Sequence, residues 1–149
     1  MNPYFKTDFI KVRDPYHRLL FNIIYTSNWL TNFQNKQLKK FEITPEQYNI
    51  IHTFHLHPLN PVTIKFLSAR MLTKMSNTSR LVEKLRIKGL IVRETCKNDR
   101  RACRILITKR GLALLSEIDK MESKWTKLFD RLSEDEAQKL NSLLDKLRK

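Results

Sequence analysis

Glycine is nearly missing from this chain of 149 residues, which has only Gly89 and Gly111. Sandwiches and barrels use glycine freely at their turns, so the shortage points to a largely helical fold. It also leaves almost no room for the glycine-rich loops that cradle nucleotide phosphates. Cysteine is just as scarce. Cys96 and Cys103 alone cannot make a disulfide framework. No apolar run is longer than a few residues, so no membrane span is expected. The N-terminal MNPYFKTDFIKVRD carries charges throughout and has no apolar signal core, which makes the cytoplasm the default location. There is no G-x-S-x-G, and the carboxylates sit where helix caps and surface charge would put them. An enzyme is not expected, nor is a cofactor.

Acidic residues are the minority charge. Twenty-nine Lys and Arg face 15 Asp and Glu, a formal net charge of +14. With 41% hydrophobic and 30% charged residues the composition is globular, and 149 residues suit a single domain. A chain this basic tends to meet a polyanion, of which nucleic acid is the commonest; a merely solvated basic surface is the competing reading.

Helical spacing runs from residue 15 to about 40 through Leu19, Leu20, Ile23, Ile24, Leu30 and Phe33. In ITPEQYNIIHTF, Thr44 can cap a second helix, with Pro45 at its first position and Gln47 completing a capping box. LHPLNP reads as a loop. PVTIKFLSARM reads as a short β-like stretch followed by a short helix, with Ile64, Leu67 and Met71 on one face. KMSNTSRLVEKLRIKG reads as the next helix, ended by Gly89 in the left-handed position. LIVRETC and CRILIT are strand candidates around a polar tip. Thr108 can cap a long helix striped by Leu115, Ile118, Met121, Trp125, Leu128 and Leu132. Ser133 and Glu136 form a second capping box opening a last helix, with Ala137, Leu140, Leu144 and Leu147 on one face.

The expected fold is therefore mainly α with a small β-hairpin wing. It is a winged helix-turn-helix over residues 42–110, flanked by helical regions 1–40 and 111–149 whose apolar stripes exceed what the small lobe can cover and would pair between subunits. In the fourth helix Met75, Thr78, Leu81, Val82 and Leu85 share the core side. Ser76, Asn77, Arg80, Glu83 and Lys84 share the other, with Ser79 at its edge. Small hydroxyl and amide residues followed by arginine suit a helix entering a major groove nose first, since arginine can bond a guanine with two donors. Any amphipathic surface helix also has a polar face. The hairpin tip decides between them: Lys97, Arg100 and Arg101, with Arg104 just beyond, form a compact cation able to follow the DNA backbone into a narrow minor groove. Asp99 fits there if it pairs with one arginine and fixes the loop. Lys65, Arg70, Lys74 and Lys84 are the expected phosphate contacts.

From TPEQYNII through VTIKFLSARMLTKMSNTSRLVEKLRIKGLIVRETCKNDRRACRILITKRG, the chain resembles the MarR family of bacterial transcription regulators. The likeness rests on an S-N-x-S-R-L-V-x-K-L-x-x-K-G-L recognition segment and a D-R-R wing followed by I-T-x-x-G, and covers roughly residues 40 to 115. The resemblance implies a homodimer with interlocked terminal helices on a palindromic double-stranded DNA operator, acting as a repressor. It implies recognition contacts from Ser76, Asn77, Ser79 and Arg80 and a wing arginine at Arg100 or Arg101; residues 76 to 80 as a whole, Thr78 included, are expected to read bases. It further implies release by a small, often aromatic, effector. The alternatives are a protein-interaction module and a nonspecific architectural DNA binder.

Tyr25, Trp29, Tyr48, His52 and His55 could line an aromatic effector pocket where the first two helices meet; the same residues also read as plain core. His52, His55 and His57 have only Glu46 nearby, too little for a metal site. In a symmetrical hairpin Cys96 and Cys103 would sit opposite each other and could form a redox clip. In a reducing cytosol they read as free thiols.

Overall fold

The computed structural model describes residues 13–55, 60–71, 77–96 and 99–149. Helix α1 (Pro15–Leu38) starts at Asp14, whose carboxylate accepts from the amides of Tyr16 and His17. A 3-10 turn, Lys39–Phe41, follows it and ends at Glu42 in the left-handed region. Helix α2 (Pro45–His52) has the expected capping box: Thr44 Oγ1 accepts from the Gln47 amide and Gln47 Oε1 from the Thr44 amide. A 3-10 turn over Thr53–His55 extends it. Strand β1 (Val62–Thr63) leads into α3 (Ile64–Arg70), capped by Thr63.

Helix α4 (Thr78–Ile87) begins later than the sequence pattern suggested, because Asn77 is its N-cap. Gly89, at φ +70°, turns the chain out of α4 as expected. Strands β2 (Ile91–Cys96) and β3 (Asp99–Ile107) form the hairpin, and Thr108 caps α5 (Lys109–Thr126). The second capping box, Ser133 with Glu136, opens α6 (Glu134–Leu147).

The sheet is antiparallel in the order β1-β3-β2, with Val62 opposite Ile105 and Ile91 opposite Ile107. Strand β1 thereby ties the start of α3 to the root of the wing. The hairpin is not symmetrical. A register shift falls between Thr95 and Cys96, so Cys103 pairs with Thr95 and Cys96 with Asp99. The expectation that the two cysteines oppose each other is corrected by that shift.

One core joins all these elements except α6. Leu38, Ile50, Ile51, Phe54, Leu67, Val82, Leu85, Ile91, Ile105 and Ile118 are almost wholly buried. Truncating one of them, Leu85→Ala for example, would cost about 2–5 kcal/mol. Helix α6 has no buried residue, and α1 buries only Leu38. Leu19, Leu20 and Ile24 on α1, with Leu140, Leu143 and Leu147 on α6, remain exposed. Among the described residues no helix is long and apolar enough to cross a membrane.

Candidate nucleic-acid interface

Helix α4 packs through Thr78, Val82 and Leu85, spaced i, i+4, i+7, and this fixes which side faces out. Ser79, Arg80 and Lys84 are exposed on the outer side. Thr78, at 5% exposure, lies on the packed side where the helical period puts it, and it is withdrawn from the residues expected to touch DNA. Asn77 is exposed, but its Oδ1 accepts from the Arg80 amide at 3.1 Å. Its amide oxygen is therefore committed to the cap, which leaves the NH₂ group to reach outward.

Arg80, Lys84 and Lys65 make no ion pair among the described residues, so their charge is available to a phosphate or base. Glu83, the one acid on this helix, is neutralised locally. Arg86 Nη2 and Nε donate to its carboxylate at 2.7 and 3.0 Å. That hydrogen bonding holds the Glu83 carboxyl below the usual carboxylate range and raises the Arg86 guanidinium. On α3, the Arg70 guanidinium lies 3.5 Å from the Phe66 ring centroid, a stacked and pre-aimed cation.

Asp99, Arg100 and Arg101 form the first residues of β3, which continues to the exposed Arg104. The strand begins at Asp99, four residues before CRILIT, so Asp99, Arg100 and Arg101, expected in the tip, belong to the strand. Lys74, Ser76 and Lys97 lie outside the described residues.

The expected pocket residues are only partly assembled. Tyr48 meets His52 (ring centroids 5.5 Å apart), and His52 meets His55 at 4.9 Å. Tyr25 and Trp29 stand on the exposed side of α1. The α1 residue that joins the aromatic cluster is instead Phe33, which meets Trp125 of α5 at 6.5 Å, while Trp125 meets Tyr48 at 5.7 Å. The Trp125 Nε1 donor is buried with no acceptor among the described residues. His55 Nε2 lies 3.0 Å from Asp119 Oδ1. Sequence reasoning missed both partners. Asp119 is 64 positions from His55, and Trp125 read as one more member of a core stripe. Among the described residues no group of three or more His, Cys, Asp and Glu is placed to hold a metal.

A helix-turn-helix followed directly by an antiparallel wing, with cations on its outer face, defines a winged helix-turn-helix protein. Residues 41–102 match the MarR family model. Over those residues the lobe is similar to the MarR family of transcription regulators. The fold is shared with solved structures. A MarR-like transcription regulator from Bacillus cereus is 22% identical, with 88% of this chain and 94% of that chain covered and a TM-score of 0.78. A MepR–DNA complex from S. aureus is 24% identical, with 87% and 93% covered and a TM-score of 0.74. The organohalide-sensing regulator RdhR, in its 2,4-dichlorophenol-bound form, is 17% identical, with 99% and 84% covered and a TM-score of 0.83.

Proposed function

We propose that this protein is a homodimeric, sequence-specific DNA-binding transcription regulator that represses by occupying a palindromic operator. The observation that carries the reading is the outer face of α4, where Arg80 and Lys84 are exposed and, among the described residues, make no ion pair beside Asn77 and Ser79, while the only acid of the helix is bound to Arg86. Lys65 and Arg70 on α3 would take phosphates, and Arg100 or Arg101 would follow the minor groove. The net charge of +14 supports the same partner. The S. aureus MepR structure, solved with DNA, supports it by likeness of fold.

Dimerisation is supported by the exposed apolar residues of α1 and α6, which the lobe of residues 42–110 leaves uncovered. Such a dimer would present two α4 helices to half-sites about one helical turn of DNA apart, or multiples of it. Release by a small aromatic effector is supported by the Tyr48–His52–Trp125 cluster and by the dichlorophenol bound to RdhR. An effector would act by binding the DNA-competent and released states unequally.

Selection from a random double-stranded DNA library tests the proposal. Enrichment of an inverted repeat is the expected result. Recovery of unenriched sequences would overturn it in favour of charge-driven architectural binding.

A further inference from the structure

Away from the DNA-reading face, a cleft of about 460 Å³ opens between the end of α1, the end of α4 and the first turns of α5. Its volume lies within the range of small-molecule sites. One wall is a single stripe of α5: Arg110, Ala113, Leu114 and Glu117, spaced i, i+3, i+4, i+7. A cation, two apolar residues and a carboxylate therefore follow one another along about 10 Å of helix. The facing wall is formed by Phe41, Leu90 and Ile87, with Lys88 and Glu42 beside them. Ile87 is 72% exposed, an unusual position for an isoleucine with nothing on it.

Along the α5 wall the two charges stand at opposite ends. The Arg110 guanidinium curls toward Gly89, with Nη1 3.9 Å from where a β-carbon on that residue would stand. Lys88, next to Gly89 in the chain, donates from its ammonium to the Glu42 carbonyl and ties the facing wall to the turn that follows α1. Glu117 stands two turns away. Neither Arg110 nor Glu117 makes an ion pair among the described residues. Across the whole lining, Lys88 and Arg110 balance Glu42 and Glu117, which favours a ligand of no net charge over a simple anion or cation.

We infer that this cleft binds a small zwitterionic amphipath. Its anionic group would meet Arg110, its apolar body would lie between Leu114 and Ile87, and its cationic group would meet Glu117. The inference is independent of the DNA-binding proposal, and its test contains no DNA, so either can fail alone.

Amide chemical shifts of the full chain would be followed during titration with 8-aminooctanoate, octanoate and octylamine, which share a chain and differ in their ends. The expected result is that 8-aminooctanoate shifts the resonances of Leu90, Ala113 and Leu114 and binds several-fold more tightly than either one-ended compound. Arg110→Gln should then reduce its affinity to that of octylamine, and Glu117→Gln to that of octanoate. Both side chains are exposed, and an unchanged circular dichroism spectrum confirms that the variants fold. Equal affinity for all three compounds, shifts confined to other surfaces, or variants that bind like the parent would overturn the inference.

Discussion

Gly111→Ala is the most demanding test of how the wing is joined to α5. A methyl carbon added at Gly111 would lie 2.7 Å from Ile107 Cγ1 and 3.2 Å from the Leu90 carbonyl carbon, and closer still to the Leu90 oxygen. Backbone cannot swing aside as a side-chain end can. Restoring ordinary contact would move the first turn of α5 by about 1 Å. That movement would stretch the 3.0 Å bond from the Thr108 amide to the Leu90 carbonyl. Overpacking costs about 1–3 kcal/mol and the lost hydrogen bond about 1 kcal/mol. Alanine returns about 1 kcal/mol of helix propensity. The net expectation is destabilisation by about 1–3 kcal/mol, a fall in Tm of several degrees by circular dichroism at fixed protein concentration. An alanine variant as stable as the parent, or more stable by its propensity gain, would refute the close approach. Gly89→Ala makes the useful contrast. There the added carbon would meet only the Arg110 guanidinium, at an ordinary 3.9 Å, and the cost of about 1–2 kcal/mol would come from the φ of +70°.

Other substitutions separate the parts of the interface. Asn77→Ala should cost about 1 kcal/mol of stability in urea titration, because it removes the cap on α4; no change would mean the cap is idle. Arg80→Ala should cost about 1–3 kcal/mol on operator DNA and far less on random DNA, if it is bidentate to a guanine; equal loss on both would contradict that role. Phe66→Leu keeps apolar volume but removes the stacking surface of Arg70. It should weaken operator and random DNA alike by about two- to fivefold, the worth of an exposed cation–π contact, whereas unchanged binding would detach Arg70 from DNA. Glu83→Gln should release Arg86 and steepen the salt dependence of DNA binding. Because the Glu83 carboxyl titrates below its ordinary range, the stabilising pair is fully formed above that range and is lost as pH falls through the lowered value. Parent and Glu83→Gln should therefore differ in stability at neutral pH and converge in strong acid; a difference that persisted there would assign it to another cause.

Much of the fold was legible because its signals are local. The capping boxes at Thr44 and Ser133, the glycine after α4 and the cap at Thr108 each depend on residues within one turn. What depended on chain pairing was not legible. The slip at Thr95 and Cys96 leaves no mark in the composition of either strand, and it moved Cys103 opposite Thr95. The outer face of α4 and the packed side with Thr78 were readable from helical period, yet period alone could not tell that Asn77 stands before the helix. The aromatic cluster failed for a different reason. Phe33, Tyr48 and Trp125 come together only when α1, α2 and α5 pack, and Asp119 reaches His55 across 64 positions. The need for glycine at 111 was likewise invisible until the Leu90 carbonyl was seen beneath it.

The central claim, that this lobe reads sequence and does not merely attract phosphate, is tested most directly by fluorescence anisotropy. The DNA from the chain's own upstream promoter would be compared with scrambled DNA of equal length at two salt concentrations. A preference on the order of 10³ or more that survives the higher salt is the predicted result. Equal affinities that collapse together as salt rises would contradict it.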